Sequence, residues 1–140
     1  MSLKPIFFLF AFALAVNNLT AQSYLKDYST GRRLYEWDGN YLEDYSTGKR
    51  ICELDGSYLK DYSSGRRLYE TDGDYFKEYS SGKRLYEWDG NYLKDYSTGR
   101  RLYETDGNYL KSYSTGRRLY EWEGMIPKTV LVYVLLRQCE

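Results

Sequence analysis

From Tyr24 onward the chain repeats itself every 17 residues. The units are 24–40, 41–57, 58–74, 75–91, 92–108 and 109–125, with the consensus YLKDYSTGRRLYEWDGN. A fixed short period means that one supersecondary unit is stacked many times, because a single copy cannot bury its own apolar face. Each copy holds two runs rich in strand-forming residues, YLKDY and RRLYEW. Ser-Thr-Gly or Ser-Ser-Gly separates them, and Asp-Gly or, once, Glu-Gly follows. Both separators read as hairpin turns: a three-residue loop with Gly in the left-handed position, and a two-residue Asp-Gly loop of type I′. The expected fold class is mostly β, with six hairpins giving twelve strands.

These loop lengths predict a register. Within a hairpin, paired repeat positions sum to 14, and the same sum recurs between hairpins, so little stagger accumulates. Twelve strands about 4.8 Å apart then close into a low-shear ring of radius roughly 9 Å. Such a bore is about the size of one α-helix with its side chains. The C-terminal run Thr129 to Leu136, TVLVYVLL, is apolar on every side and follows Pro127. A helix apolar all round is a buried helix, and a plug over about 127–138 fills the bore. Its β-branched content would also permit a strand, and a membrane-inserting tail is the third reading, although the run is short for spanning.

The register sorts the faces. Leu25, Leu42, Leu59, Phe76, Leu93 and Leu110 share a level with Tyr35, Cys52, Tyr69, Tyr86, Tyr103 and Tyr120, and this apolar belt is assigned to the interior. On the next level Asp27, Asp44, Asp61, Glu78 and Asp95 face Arg33, Arg50, Arg67, Arg84 and Arg101 in an expected carboxylate–guanidinium ladder. Ser112 replaces the acid in the sixth repeat, which leaves Arg118 without its own-repeat partner. The helix is expected to enter at the Asp-Gly rim and to end near Arg118, with Cys139 far from Cys52 and no disulfide between them.

At the other end of the chain, residues 1–21 read as a signal peptide. Lys4 precedes an apolar stretch from Ile6 to Val16, and a small-residue exit ends at Ala21. The mature domain is then 22–140, without a transmembrane span, placed in the periplasm, at the cell surface or outside the cell. Twenty basic and twenty acidic residues leave the chain neutral, so no global field draws it to nucleic acid.

A ring of short Tyr/Gly hairpin repeats followed by an apolar, Pro-led tail resembles the bacterial β-flower families. More distantly it resembles the Tubby C-terminal domain, a twelve-stranded barrel with a helix through it. The residues that carry the likeness are the strand-STGRRLYE-DG repeats, Gly124-Met125-Ile126-Pro127, and Val130 to Leu136. The resemblance implies lipids as a ligand class and assigns no binding residue.

The chain has no His, which removes the usual general base and the commonest metal ligand. The Asp-Gly turns lack the ligand spacing of a calcium loop. No catalytic residue, metal or cofactor is therefore expected, and the chain reads as a non-enzymatic binding or scaffolding module. The candidate ligand surface is a basic rim of Arg32, Arg33, Lys49, Arg50, Arg66, Arg67, Lys83, Arg84, Arg100, Arg101, Arg117 and Arg118. Such a rim suits anionic lipid or glycan. A second candidate is an aromatic rim of Trp37, Trp88 and Trp122, which serves an alternative reading: a carbohydrate- or wall-binding open solenoid. The bland reading of these tryptophans is that they cover the helix entry.

Overall fold

A computed structural model describes residues 22–139; the signal-peptide reading of 1–21 lies outside the described residues. Twelve strands follow the repeat: β1 (Ser23–Asp27), β2 (Arg33–Trp37), β3 (Tyr41–Asp44), β4 (Arg50–Asp55), β5 (Tyr58–Asp61), β6 (Arg67–Asp72), β7 (Tyr75–Glu78), β8 (Arg84–Asp89), β9 (Tyr92–Asp95), β10 (Arg101–Asp106), β11 (Tyr109–Ser112) and β12 (Arg118–Glu123). Among the described residues one helix, α1 (Lys128–Arg137), follows β12. Every strand pairs antiparallel with its sequence neighbours, and β1 pairs with β12, so the sheet is a closed barrel. Closure leaves no free strand edge to template pairing with another molecule.

The turns differ from the expected ones, and the difference changes what faces where. In the first hairpin the Asp27 N–H donates to the Arg32 carbonyl at 2.9 Å, so that pair closes a loop of four residues, Tyr28 to Gly31. Pairing then runs Lys26 with Arg33 but Leu25 with Tyr35, which leaves Leu34 as a β-bulge. The other five hairpins carry the same bulge. The bulged residue does not lose its backbone partner, because the Leu34 carbonyl accepts the N–H of Tyr45 from the next hairpin at 3.0 Å. A bulge re-aims the residues beside it. Arg33 accordingly turns to the outer wall, and Leu34 is half-buried against the core.

Between hairpins, Asp55 pairs with Tyr58 across Gly56 and Ser57. Gly56 has φ of 60°, and among the described residues no residue other than glycine has positive φ. A left-handed glycine at the first of two loop positions is the type II′ pattern, not the expected I′.

These turns also give the barrel a real stagger. At the core level Leu25 pairs with Tyr35, and Tyr35 with Asp44, an advance of two repeat positions for each hairpin. Two residues along the strand over two strand spacings tilt the strands by about 35° and widen the ring to a radius of about 11 Å. The barrel is therefore sheared in the ordinary way, and the low-shear ring predicted from a three-residue loop is corrected.

The helix fills the bore. Val130, Leu131, Val132, Tyr133, Val134 and Leu135 are buried around its full circumference in one cluster with the barrel's inner face. Leu25, Leu42, Leu59, Phe76, Leu93 and Leu110 form a belt no more than 1% exposed. Toward the Asp-Gly end lies a tier containing Trp37, Trp88 and Trp122, and toward the other end the tier of Tyr35, Cys52, Tyr69, Tyr86, Tyr103 and Tyr120. Pro127 is the N-cap residue, in extended conformation, and its carbonyl accepts the N–H groups of Val130 and Leu131. Lys128 fastens the entry by donating to the Gly90 carbonyl at 2.8 Å and lying over the Trp88 ring. Among the described residues no helix is long and apolar enough to cross a membrane.

Candidate functional site

The twelve basic candidates fall into two sets of six. Arg33, Arg50, Arg67, Arg84, Arg101 and Arg118 lie on the outer wall, each stacked over the first tyrosine of its own repeat at 3.8 to 4.1 Å from the ring centroid. Each also lies within 5.8 Å of the ring centre of a tyrosine from the neighbouring hairpin, Tyr45 for Arg33 and Tyr28 for Arg118. The two tyrosines meet edge to face, as Tyr24 and Tyr45 do at 6.0 Å. A hydrogen bond to the Tyr45 hydroxyl raises the pKa of Arg33 further above its already high value, and Tyr62, Tyr79, Tyr96 and Tyr28 do the same for Arg50, Arg67, Arg84 and Arg118. This belt binds each petal to the next by cation–π contact. Its arginines are engaged by the protein itself, so the rim available to a ligand is the other six: Arg32, Lys49, Arg66, Lys83, Arg100 and Arg117, all exposed.

The expected ladder between Asp27 and Arg33 does not exist, because the bulge puts the two on opposite faces. The carboxylates serve their own turns instead. Asp27 accepts hydrogen bonds from Ser29 Oγ at 2.7 Å, Thr30 Oγ1 at 2.7 Å and the Thr30 N–H at 2.9 Å. The Ser29 hydroxyl is the largest cause holding its pKa below the usual carboxylate value. Asp44, Asp61 and Asp95 are lowered by the same kind of bonds, led by Ser46, Ser64 and Ser97. The closing pair sets each carboxylate beside a rim cation, and the Arg32 and Arg66 charges add to the lowering at Asp27 and Asp61.

The sixth hairpin breaks this pattern. Ser112 stands in the acid position, and its N–H donates to the Arg117 carbonyl at 2.9 Å. The cation whose closing pair lacks a carboxylate is thus Arg117, and the expectation for Arg118 is corrected: Arg118 is stacked between Tyr109 and Tyr28 on the outer wall. Inside the barrel, Tyr35, Cys52, Tyr69, Tyr86 and Tyr120 each pair with an acidic residue, and only Tyr103 pairs with a serine, Ser112.

Beside that break the helix leaves the wall. A cavity of about 360 Å³ opens between the last turn of α1 and strands β8 to β11, lined by Tyr86, Leu93, Tyr103, Val132, Leu135 and Leu136 with Ser112, Ser114 and Cys139 at its polar end. Sequence reasoning missed this cavity. The signal for it in the sequence is the missing acid at position 112, which bears on Arg117 and not on Arg118.

The tryptophans do not form an open rim. Trp37, Trp88 and Trp122 are 4%, 7% and 8% exposed and lie among the residues around the helix entry, as their bland reading had it. The open solenoid that would use them as stacking platforms is overturned by the closed barrel. Cys52 is buried and Cys139 exposed, and both are free thiols. Among the described residues no group of three or more potential ligands could hold a metal ion. No protein-family model, curated protein or solved structure matches the chain.

Proposed function

We propose that the chain is an exported, non-enzymatic binding or scaffolding module of the bacterial cell envelope, which recognises an anionic lipid or glycan through its Ser-Thr-Gly end. The observation that carries this reading is the separation of charge along the barrel axis. The Arg/Lys pair after every loop starts its second strand at the Ser-Thr-Gly end, where five turn carboxylates stand. Asp38, Asp55, Asp72, Asp89, Asp106 and Glu123 lie at the opposite rim, four of them bridged to mid-wall cations: Glu123 to Lys26 and Arg33, Asp55 to Lys60, Asp89 to Lys94 and Asp106 to Lys111. A molecule neutral in total is therefore bipolar. A bipolar body orients before it touches a charged surface, and its affinity falls as salt rises. The helix lies with its positive N-terminal end at the acidic rim and its negative C-terminal end at the basic one, so its dipole is matched at both ends. The resemblance to β-flower and Tubby-like rings is part of the same proposal and points to the lipid branch.

Sedimentation with vesicles of phosphatidylglycerol and phosphatidylcholine, and with phosphatidylcholine alone, tests the reading, alongside an array of sulfated and neutral glycans. Binding to an anionic member that weakens with salt, and that fails when Arg32, Lys49, Arg66, Lys83, Arg100 and Arg117 are all replaced by Gln, is the expected result. Equal binding of the wild type and the sixfold variant would overturn it.

A further inference from the structure

We infer that the cavity beside Ser112 binds a single-chain amphiphile with an anionic head, its alkyl chain between α1 and the barrel wall and its head at Ser112, Ser114 and Arg117. The inference rests on the reading of the Ser-Thr-Gly end as the ligand-facing one, and adds to it one sector, one stoichiometry and one ligand shape.

Three observations converge on this sector. The first is apolar space: the cavity has about 360 Å³ bounded by Leu93, Val132, Leu135 and Leu136 and the faces of Tyr86 and Tyr103. That volume is within the roughly 300–1,000 Å³ of small-molecule sites, which are apolar with a few convergent polar groups. The second is charge. Elsewhere around the mouth an acid stands at the inner edge, at Asp27, Asp44, Asp61, Glu78 and Asp95, and would repel an entering anion. At repeat six that place holds a hydroxyl, with the Ser112 and Ser114 oxygens 3.3 Å apart. The third is the cation left over, since Arg117 closes its hairpin opposite Ser112 rather than opposite a carboxylate. The coincidence of the one acid-free step with the cavity at the helix end is what a charged amphiphile requires: a largely apolar slot, hydroxyl donors at its mouth and, at the same step of the rim, a cation whose hairpin closes on Ser112 instead of a carboxylate. The flanking carboxylates Asp27 and Asp95 are tied to their own turns and fix which sector the anion can use.

The decisive variant is Ser112→Asp, which gives the sixth repeat the same residue as its siblings. The new carboxylate can take up the turn bonds to Ser114 and Thr115, so the variant folds and melts no lower than the wild type. Titration calorimetry with dodecyl phosphate below its micelle concentration should give one site in the wild type and at least tenfold weaker binding in S112D. Leu136→Trp, which fills the slot, should weaken binding to a similar degree, and Arg117→Gln should weaken dodecyl phosphate while leaving dodecanol unchanged. Inorganic phosphate alone should not compete. Equal affinity of S112D and wild type, or displacement by inorganic phosphate at the ligand's own concentration, would overturn the site. Because S112D and L136W keep the other rim cations, their vesicle binding should persist. Loss of vesicle binding in the sixfold rim variant is a separate result, so failure of the slot and failure of the rim are told apart.

Discussion

The Ser23 hydroxyl accepts the backbone N–H of Met125 at 2.9 Å, a bond between residues 102 positions apart that ties the first strand to the exit of the last. Gly124, just before it, has φ of 80°, and a Cβ there would collide with the Ser23 hydroxyl. The glycines of the Ser-Thr-Gly loops have open space where a Cβ would go. Gly31→Ala therefore carries only the left-handed backbone penalty of about 1–2 kcal/mol. Gly124→Ala adds a clash at the seam on top of that penalty and should lower Tm further than Gly31→Ala does. Equal Tm values for the two variants would mean that the seam is not held as described.

Occupation of the bore by α1 is tested by a buried charge. Val132 is 1% exposed, in the middle of the buried run of α1. Val132→Asp should destabilise the domain by roughly 3–5 kcal/mol, the range for an uncompensated buried charge. Leu135→Asp should be milder, because Leu135 lies nearer the open end of the helix and is 8% exposed against 1% for Val132. Native circular dichroism and an unchanged Tm in V132D would place the helix outside the barrel.

The parts of this fold that were legible in the sequence rest on counting. Six copies at a fixed period made the twelve strands readable, and an all-round apolar run made the plug readable, because burial of Val130 to Leu135 needs a bore of about that size. The loop type was not legible, since a Gly after Ser-Thr serves a three-residue loop as well as a four-residue one. The four-residue loop is closed in all six hairpins by the same two backbone bonds, Gly31 N–H to the Asp27 carbonyl and Asp27 N–H to the Arg32 carbonyl in the first, and the bulge that goes with it moves Arg33 from the inner face to the outer wall. The cavity was illegible for a related reason: it needs the stagger that brings Ser112 opposite Tyr103, and stagger follows from the loops.

Acid should act through the turn carboxylates. Asp27, Asp44, Asp61 and Asp95 have folded pKa values below their ordinary 3.8, so their stabilisation is complete above that value and is lost as pH falls through it toward the folded values. Urea midpoints should therefore be flat from pH 7 to about 5 and fall below about 4. Asp44→Asn should make the fall shallower. An unchanged slope in D44N would remove the turn as its cause.

Alkali should act through the inner tier. Burial is the main cause raising Cys52 from 9.0 to about 12 and Tyr120 from 10.0 to about 12, and it raises Tyr86, Tyr103 and Tyr133 in the same direction. A group whose neutral form is kept by folding contributes stability that is intact below its unfolded pKa. That stability declines from there to the folded pKa, because only the unfolded chain sheds the proton. Stability should thus fall from about pH 9 to about pH 12, and Cys52→Ala should remove the earliest part of the decline. The thiols give an independent reading. At pH 8 a disulfide reagent should titrate one thiol, Cys139, in the native protein and two after denaturation. Rapid native labelling of Cys52, located by mass spectrometry, would show that the tier between helix and barrel is open to solvent and would sink the assignment of both pH effects to burial.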